Sequence, residues 1–184
     1  MDSLSKFQQF FDHCVGNWTS DRTYHYLSNQ QIERSNTKFI IYALTDDRKG
    51  KVLTDNNYPI LPNLEKLPGY NLAFETISER GEKVSQELNL MFVPQKMELP
   101  IIEGDYLRDR AYEEAKPMVS SFIFNTENQE LLMTTDYTYV VSVDSITLIN
   151  PNLRIRKIIN YAKSPQGEQL NQITLVGFGV EQKI

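Results

Sequence analysis

Most of this chain is written with a period of two. From Trp18 to Tyr26, Trp18, Ser20, Arg22, Tyr24 and Tyr26 fall on one face, while Thr19, Asp21, Thr23 and His25 fall on the other. Further β-like runs follow at 38–44, 70–77, 84–93, 117–124, 130–135, 137–143, 145–150, 153–160 and 172–180. Most of their centres lie about ten residues apart, the spacing of short strands joined by turns. Turn chemistry separates many of them, at Asp46–Gly50, Glu79–Glu82, Asn125–Asn128, Asn150–Asn152 and Ser164–Gly167. Only residues 3–14 read as helix, with Leu4, Phe7, Phe10 and Phe11 at helical spacing, Ser3 as N-cap and Gly16 as stop.

Such a pattern predicts an all-β fold, an up-and-down antiparallel barrel or a sandwich, with an N-terminal α-helix. We expect one domain over 1–184, with the helix at about 3–14, the barrel at about 17–181 and no second helical block. Residues 56–69 carry Pro59, Pro62 and Pro68 without a sustained period and read as a loop crossing one barrel mouth.

Charge and residue usage narrow the function classes. With 19 Lys and Arg against 24 Asp and Glu, the net charge of -5 disfavours phosphate-backbone binding, so no nucleic-acid partner is expected. One cysteine, Cys14, forms no internal disulfide, and two histidines complete a set too sparse for a common zinc or iron-sulfur motif, so no metal site is expected. No run approaches the roughly 18 apolar residues of a membrane span, and the first residues lack the pattern of a signal or transit peptide. The expectation is a protein without a membrane span, in a reducing compartment.

Several residues could carry chemistry. In Pro151–Arg156, Arg154 and Arg156 are two apart in a strand and face the same side, about 7 Å apart by twice the strand rise. Two guanidinium forks at that spacing suit a carboxylate-bearing ligand, or else a solvated strand face. The segment 104–115 mixes Arg108, Asp109, Arg110, Glu113 and Glu114 with Tyr106 and Tyr112 and reads as exposed ion pairs. Asp144, between two runs, and Glu181, ending the last, read as turn or rim acids with reach into a mouth. His25 is a structural residue or a proton carrier. Nothing around Cys14 marks a nucleophile.

Taken together, the N-terminal helix, GNWTSDRTYHYL, GDYLRDRAYEEAKP, PNLRIRK and the terminal GFGVEQKI resemble, in order and spacing, the S-type phycobiliprotein lyases, the CpeS/CpcS family. The match runs from about Phe7 to Lys183. The resemblance implies a calycin-like (lipocalin-like) antiparallel β-barrel of about ten strands with an N-terminal α-helix, which binds an open-chain tetrapyrrole, a bilin such as phycoerythrobilin or phycocyanobilin, as substrate, with no permanent cofactor. It implies transfer of that bilin to a cysteine of an apo phycobiliprotein subunit, β or else α, by a thioether bond at the A-ring ethylidene. It further implies Arg154 and Arg156 on the propionates, and Asp144 and Glu181 on the pyrrole N–H groups. His25 and Arg22 would contact the pigment or order the mouth. Phe74 and Thr147 stand where the family commonly has Trp. That departure leaves a noncatalytic bilin carrier, or one subunit of a heterodimer with a second S-type protein, as alternatives to a complete lyase; a homodimer also fits the family. The expected location is the cytoplasm of a cyanobacterium or the stroma of an algal plastid.

Overall fold

A computed structural model describes residues 3–110, 114–163 and 172–184. The Ser164–Gly167 turn, residues 111–113 and the side chain of the Ser3 N-cap lie outside the described residues. Helix α1 (Ser3–Cys14) precedes ten strands: β1 (Gly16–Tyr26), β2 (Gln31–Ala43), β3 (Gly69–Ser78), β4 (Lys83–Glu98) and β5 (Ile101–Arg108), then β6 (Met118–Asn125), β7 (Glu130–Asp136), β8 (Val140–Asn150), β9 (Leu153–Ala162) and β10 (Ile173–Lys183). Each strand pairs antiparallel with its sequence neighbour, and β10 returns to β1, so the sheet closes as an up-and-down barrel. Closure leaves no strand edge open to another chain. No helix among the described residues is long and apolar enough to cross a membrane.

The expected ten runs and the observed ten strands agree in number and differ in identity. Runs 137–143 and 145–150 are one strand, β8, whereas β5 arises from a charge-rich segment in which no strand was expected. A second helix, α2 (Asp46–Asp55), replaces the expected Asp46–Gly50 turn. Asp46 and Asp47 favour its N-terminus through the helix dipole, and burial of Val52 and Leu53 against Met91, Val93 and Leu107 outweighs the cost of an interior Gly50. Met91, Val93 and Leu107 point out of the barrel, because their neighbours Leu90, Phe92, Tyr106 and Arg108 line its inside. The loop at 56–69 therefore does not cross a mouth: Tyr58, Leu61, Leu64 and Leu67 pack on this outer cluster.

Turns elsewhere follow their side chains. Asn150 Oδ1 accepts from the Asn152 amide at 2.9 Å, and Asn125 Oδ1 from the Glu127 amide at 2.8 Å, both Asx turns joining antiparallel strands.

One end of the barrel is plugged. Phe7, Phe10 and Phe11 of α1 are buried among Phe92, Phe122 and Phe124, with ring centroids 4.5 to 5.5 Å apart, whereas Leu4 faces outward. Full burial of each such ring stabilises by about 1.5–3 kcal/mol. The helix is held at its C-terminus by two donors: the Trp18 indole N–H gives to Cys14 O at 2.9 Å and Lys183 Nζ to His13 O at 2.7 Å. Gly16, at φ +129°, turns the chain from α1 into β1.

Candidate ligand cavity

Above this aromatic plug the barrel encloses a cavity of about 440 Å³, within the range of small-molecule sites. Its lower wall is apolar, with Phe10, Phe11, Phe92 and Leu131. Higher up, the wall carries Arg22, Tyr24, Thr76, Gln86, Arg108, Asp144, Arg156 and Asn160. The parity of the strands puts these residues inside, since even-numbered positions of β1, β8 and β9 all face inward.

Two glycines shape the β10 wall. Gly177 and Gly179 lie directly opposite Tyr24 and Arg22 on β1. A Cβ at Gly177 would stand 2.6 Å from the Tyr24 ring, and one at Gly179 3.0 Å from Ser20 Oγ and 3.4 Å from Arg22 Cγ. Only the missing side chains let Tyr24 and Arg22 lie across β10.

Arg154 and Arg156 do face the same side, inward, but each is already paired. Arg154 Nε donates to Glu181 Oε2 at 2.5 Å, and its guanidinium lies 4.7 Å over the Trp18 ring and 5.2 Å over Phe39. Glu181 has no exposed surface. Burial would raise its carboxyl, yet Arg154, Arg156 and Arg22 outweigh burial and hold it below the usual carboxylate range. Arg156 grips Asp144 through two nitrogens, with Nε 2.9 and 3.1 Å from the two carboxylate oxygens and Nη2 on Oδ2. Arg22 reaches Glu181 at 3.5 Å.

Of the expected site residues, Arg22, Phe74, Asp144, Arg154 and Arg156 share the cavity wall. Three others do not. His25 lies on the opposite face of β1 from Tyr24 and Tyr26, turned out of the barrel. Thr147 is also turned outward, because β8 runs unbroken and Asp144 and Ile146 fix its inward parity. Glu181 faces inward but is sealed under Arg154 at the plugged end, and is no rim acid. Asp144 is likewise no turn residue; it stands in the middle of β8.

Sequence reasoning missed Arg108, which it placed among exposed ion pairs. It is buried in the cavity wall and donates to the Tyr137, Ser120 and Thr135 hydroxyls. Its inward parity with Ile102, Gly104 and Tyr106 was the available signal. Cys14 sits at the cavity floor, and burial pushes its thiol up despite the nearby Arg154, which leaves it a poor nucleophile.

A family model described as CpeS-like protein matches residues 6–184. The chain belongs to the CpeS-like family. Among its relatives, "Chromophore lyase CpcS/CpeS 1" of Synechococcus sp. (strain JA-3-3Ab) is 53% identical over the full length of both chains. "Chromophore lyase CpcS/CpeS" of Thermosynechococcus vestitus is 26% identical, over 83% of this chain and 82% of that one. The structure of the S-type phycobiliprotein lyase CPES from Guillardia theta superposes with a TM-score of 0.75 at 19% identity, covering 100% of this chain and 98% of the other. The CpeS-like barrel is therefore the fold of this chain, and its relatives are lyases.

Proposed function

We propose that this chain is a phycobiliprotein bilin lyase. It binds an open-chain tetrapyrrole in the barrel cavity and directs its attachment to a cysteine of an apo phycobiliprotein subunit, the β subunit first, in the cytoplasm of a cyanobacterium. The observation that carries the reading is the Arg156–Asp144 pair standing on the wall of an aromatic-floored cavity in a CpeS-like chain.

In this reading the tetrapyrrole enters apolar surface first, and its propionates meet Arg156 and Arg22. Each charge-assisted contact contributes roughly 1.5–3 kcal/mol, less what Arg156 gives up in Asp144. Asp144 accepts from a pyrrole N–H and keeps the pigment protonated, which makes its ethylidene more electrophilic. Phe74 packs on the pigment. Thioether formation is then a net addition: the acceptor sulfur bonds to the exocyclic ethylidene carbon, the C=C π bond breaks, and the thiol proton ends on the adjacent ring carbon. Nothing leaves and no oxidant is required. The protein supplies position, holding one conformer while the acceptor presents its thiol. Cys14, with its raised thiol, takes no part.

The test is incubation with a bilin and an apo β subunit, followed by denaturing electrophoresis and zinc-enhanced fluorescence. A single correct adduct forming faster than in the protein-free control is expected. Tight bilin binding without faster adduct formation would instead identify a carrier, and activity that appears only with a second S-type protein would identify a subunit of a heterodimer.

A further inference from the structure

Two amide side chains on the cavity wall stand without partners. Gln86 Oε1 and Asn160 Oδ1 are each buried and, among the described residues, accept no hydrogen bond. A buried acceptor almost always finds a donor, and one left unpaired bears the whole cost of its desolvation. Both residues line the cavity. Gln86 shares its inward parity on β4 with Leu90 and Phe92, and Asn160 shares its own on β9 with Arg156 and Ile158.

The two amides face each other. Strands β4 and β9 are five strands apart in either direction around the closed ten-strand circuit, so their inward side chains come from opposite walls. Each amide stands six residues along its strand from a side chain packed at the plug, Phe92 against Phe11 on β4 and Arg154 over Trp18 on β9. They therefore lie at similar height, well above the plug.

A side-chain amide carries a carbonyl acceptor and an NH2 donor on one carbon. A lactam, the same group closed into a ring, presents N–H and C=O side by side, so the two pair through reciprocal N–H···O=C bonds. The terminal torsion of Gln and Asn is broad and roughly two-fold, so a turn of either side chain brings its oxygen from the wall to a ligand at small cost. Guanidinium groups only donate and carboxylates only accept, so neither offers both halves of that pattern.

We propose that Gln86 and Asn160 are the contacts for the two end rings of the ligand, one lactam on each wall. This rests on the reading of the ligand as a bilin, an open chain whose first and last rings are lactams. Opposite placement selects conformer as well as chemistry. A chain coiled on itself brings its end rings together and reaches one wall only, whereas an opened chain reaches both.

Urea unfolding and absorbance titration of the full chain test it, with a bilin and a dipyrrinone acid, half its length with a single lactam, as probes. The variants are Gln86→Met and Asn160→Leu, which keep size and remove the amide. Since each deletes an unpaired polar atom, neither should lower the urea midpoint. Each should weaken bilin binding about tenfold, and the two together about a hundredfold. The dipyrrinone acid can sit on either wall, so a single substitution should weaken it only about twofold and the double substitution by more. Bound bilin should show a higher ratio of visible to near-ultraviolet absorbance than free bilin, as an opened chain does, and either substitution should lower that ratio. A lower urea midpoint or a loss of fold in either variant would make the amides part of the barrel's own packing and overturn the inference. Unchanged bilin affinity in either variant, equal loss of bilin and dipyrrinone acid, or a bound bilin whose absorbance ratio stays at the free value would overturn it as well. A wild-type protein that binds neither probe is a different failure, that of the bilin reading itself.

Discussion

Strand β9 carries the same ion pair twice, two residues apart, with opposite outcomes. In the pair Arg154–Glu181 the side chains keep 6% and 0% of their exposure, and the guanidinium is stacked on Trp18 and Phe39. In the pair Arg156–Asp144 they keep 15% and 17%, on the open cavity wall. A fully buried pair gains its attraction only by forgoing hydration, so neither member can leave without stranding the other. A pair that still meets water can exchange partners at modest cost. Depth in the barrel thus decides which arginine holds the plugged end together and which keeps contact with water in the cavity. An arginine pair that looks like a two-pronged clamp in the sequence is one structural residue and one candidate binding residue.

The largest effect that would break this contrast is at the lower pair. Glu181→Gln leaves Arg154 buried beside a neutral amide, and should destabilise the barrel by about 3–5 kcal/mol, read from the urea midpoint. The same substitution has a pH signature. The Glu181 carboxyl is depressed in the folded state, so the stability it contributes is present above the ordinary glutamate value of 4.5 and is lost as pH falls through the lower folded value. The wild type should weaken progressively in that acid range, and Glu181→Gln should show a flatter profile there. Parallel profiles would mean that Glu181 is not the carboxylate held down by the arginines.

At the upper pair, Asp144→Asn should cost no more than about 1 kcal/mol, because Arg156 retains contact with the wet cavity. Its signature is spectroscopic: the absorption maximum of bound bilin should shift as the pyrrole N–H loses a charged acceptor. An unshifted spectrum with a large loss of stability would reverse the roles assigned to the two levels.

Why the two pairs could not be told apart beforehand is a matter of what alternation encodes. Period two gave the succession of antiparallel strands, the two faces of β1 and the shared face of Arg154 and Arg156, since each follows from local geometry. It does not give height within the barrel, which depends on how α1 fills one end. Breaking β8 at Asp144 also discarded the parity that places Thr147 outside. The alternation sets His25 on the face opposite Arg22, so both could not line one cavity, yet family resemblance drew both into the site. Arg108 was hidden for another reason. Its partners Ser120, Thr135 and Tyr137 come from three separate later segments, and an arginine among Asp105, Asp109 and Arg110 has the local look of solvated surface. Helix α2 was concealed by Gly50 within an Asp-rich start that imitates a turn.

The finest test of the contrast is Arg22, which touches both levels. Its Nη2 meets Glu181 only at 3.5 Å and its Nε meets Ser20 Oγ at 3.4 Å, both long contacts, while Glu181 keeps its 2.5 Å bond to Arg154. Its side chain is 13% exposed and lies on the cavity wall across from Gly179. Arg22→Gln should therefore shift stability by no more than about 0.5 kcal/mol, and weaken bilin binding about threefold in a salt-sensitive manner. Stability reports on the lower level and affinity on the upper, so one variant reads both. A loss of stability approaching that of Glu181→Gln would make the lower level a triad of two arginines sharing one carboxylate. In that case Arg22 would belong to the plug, and Arg156 alone would remain to meet a ligand on that wall.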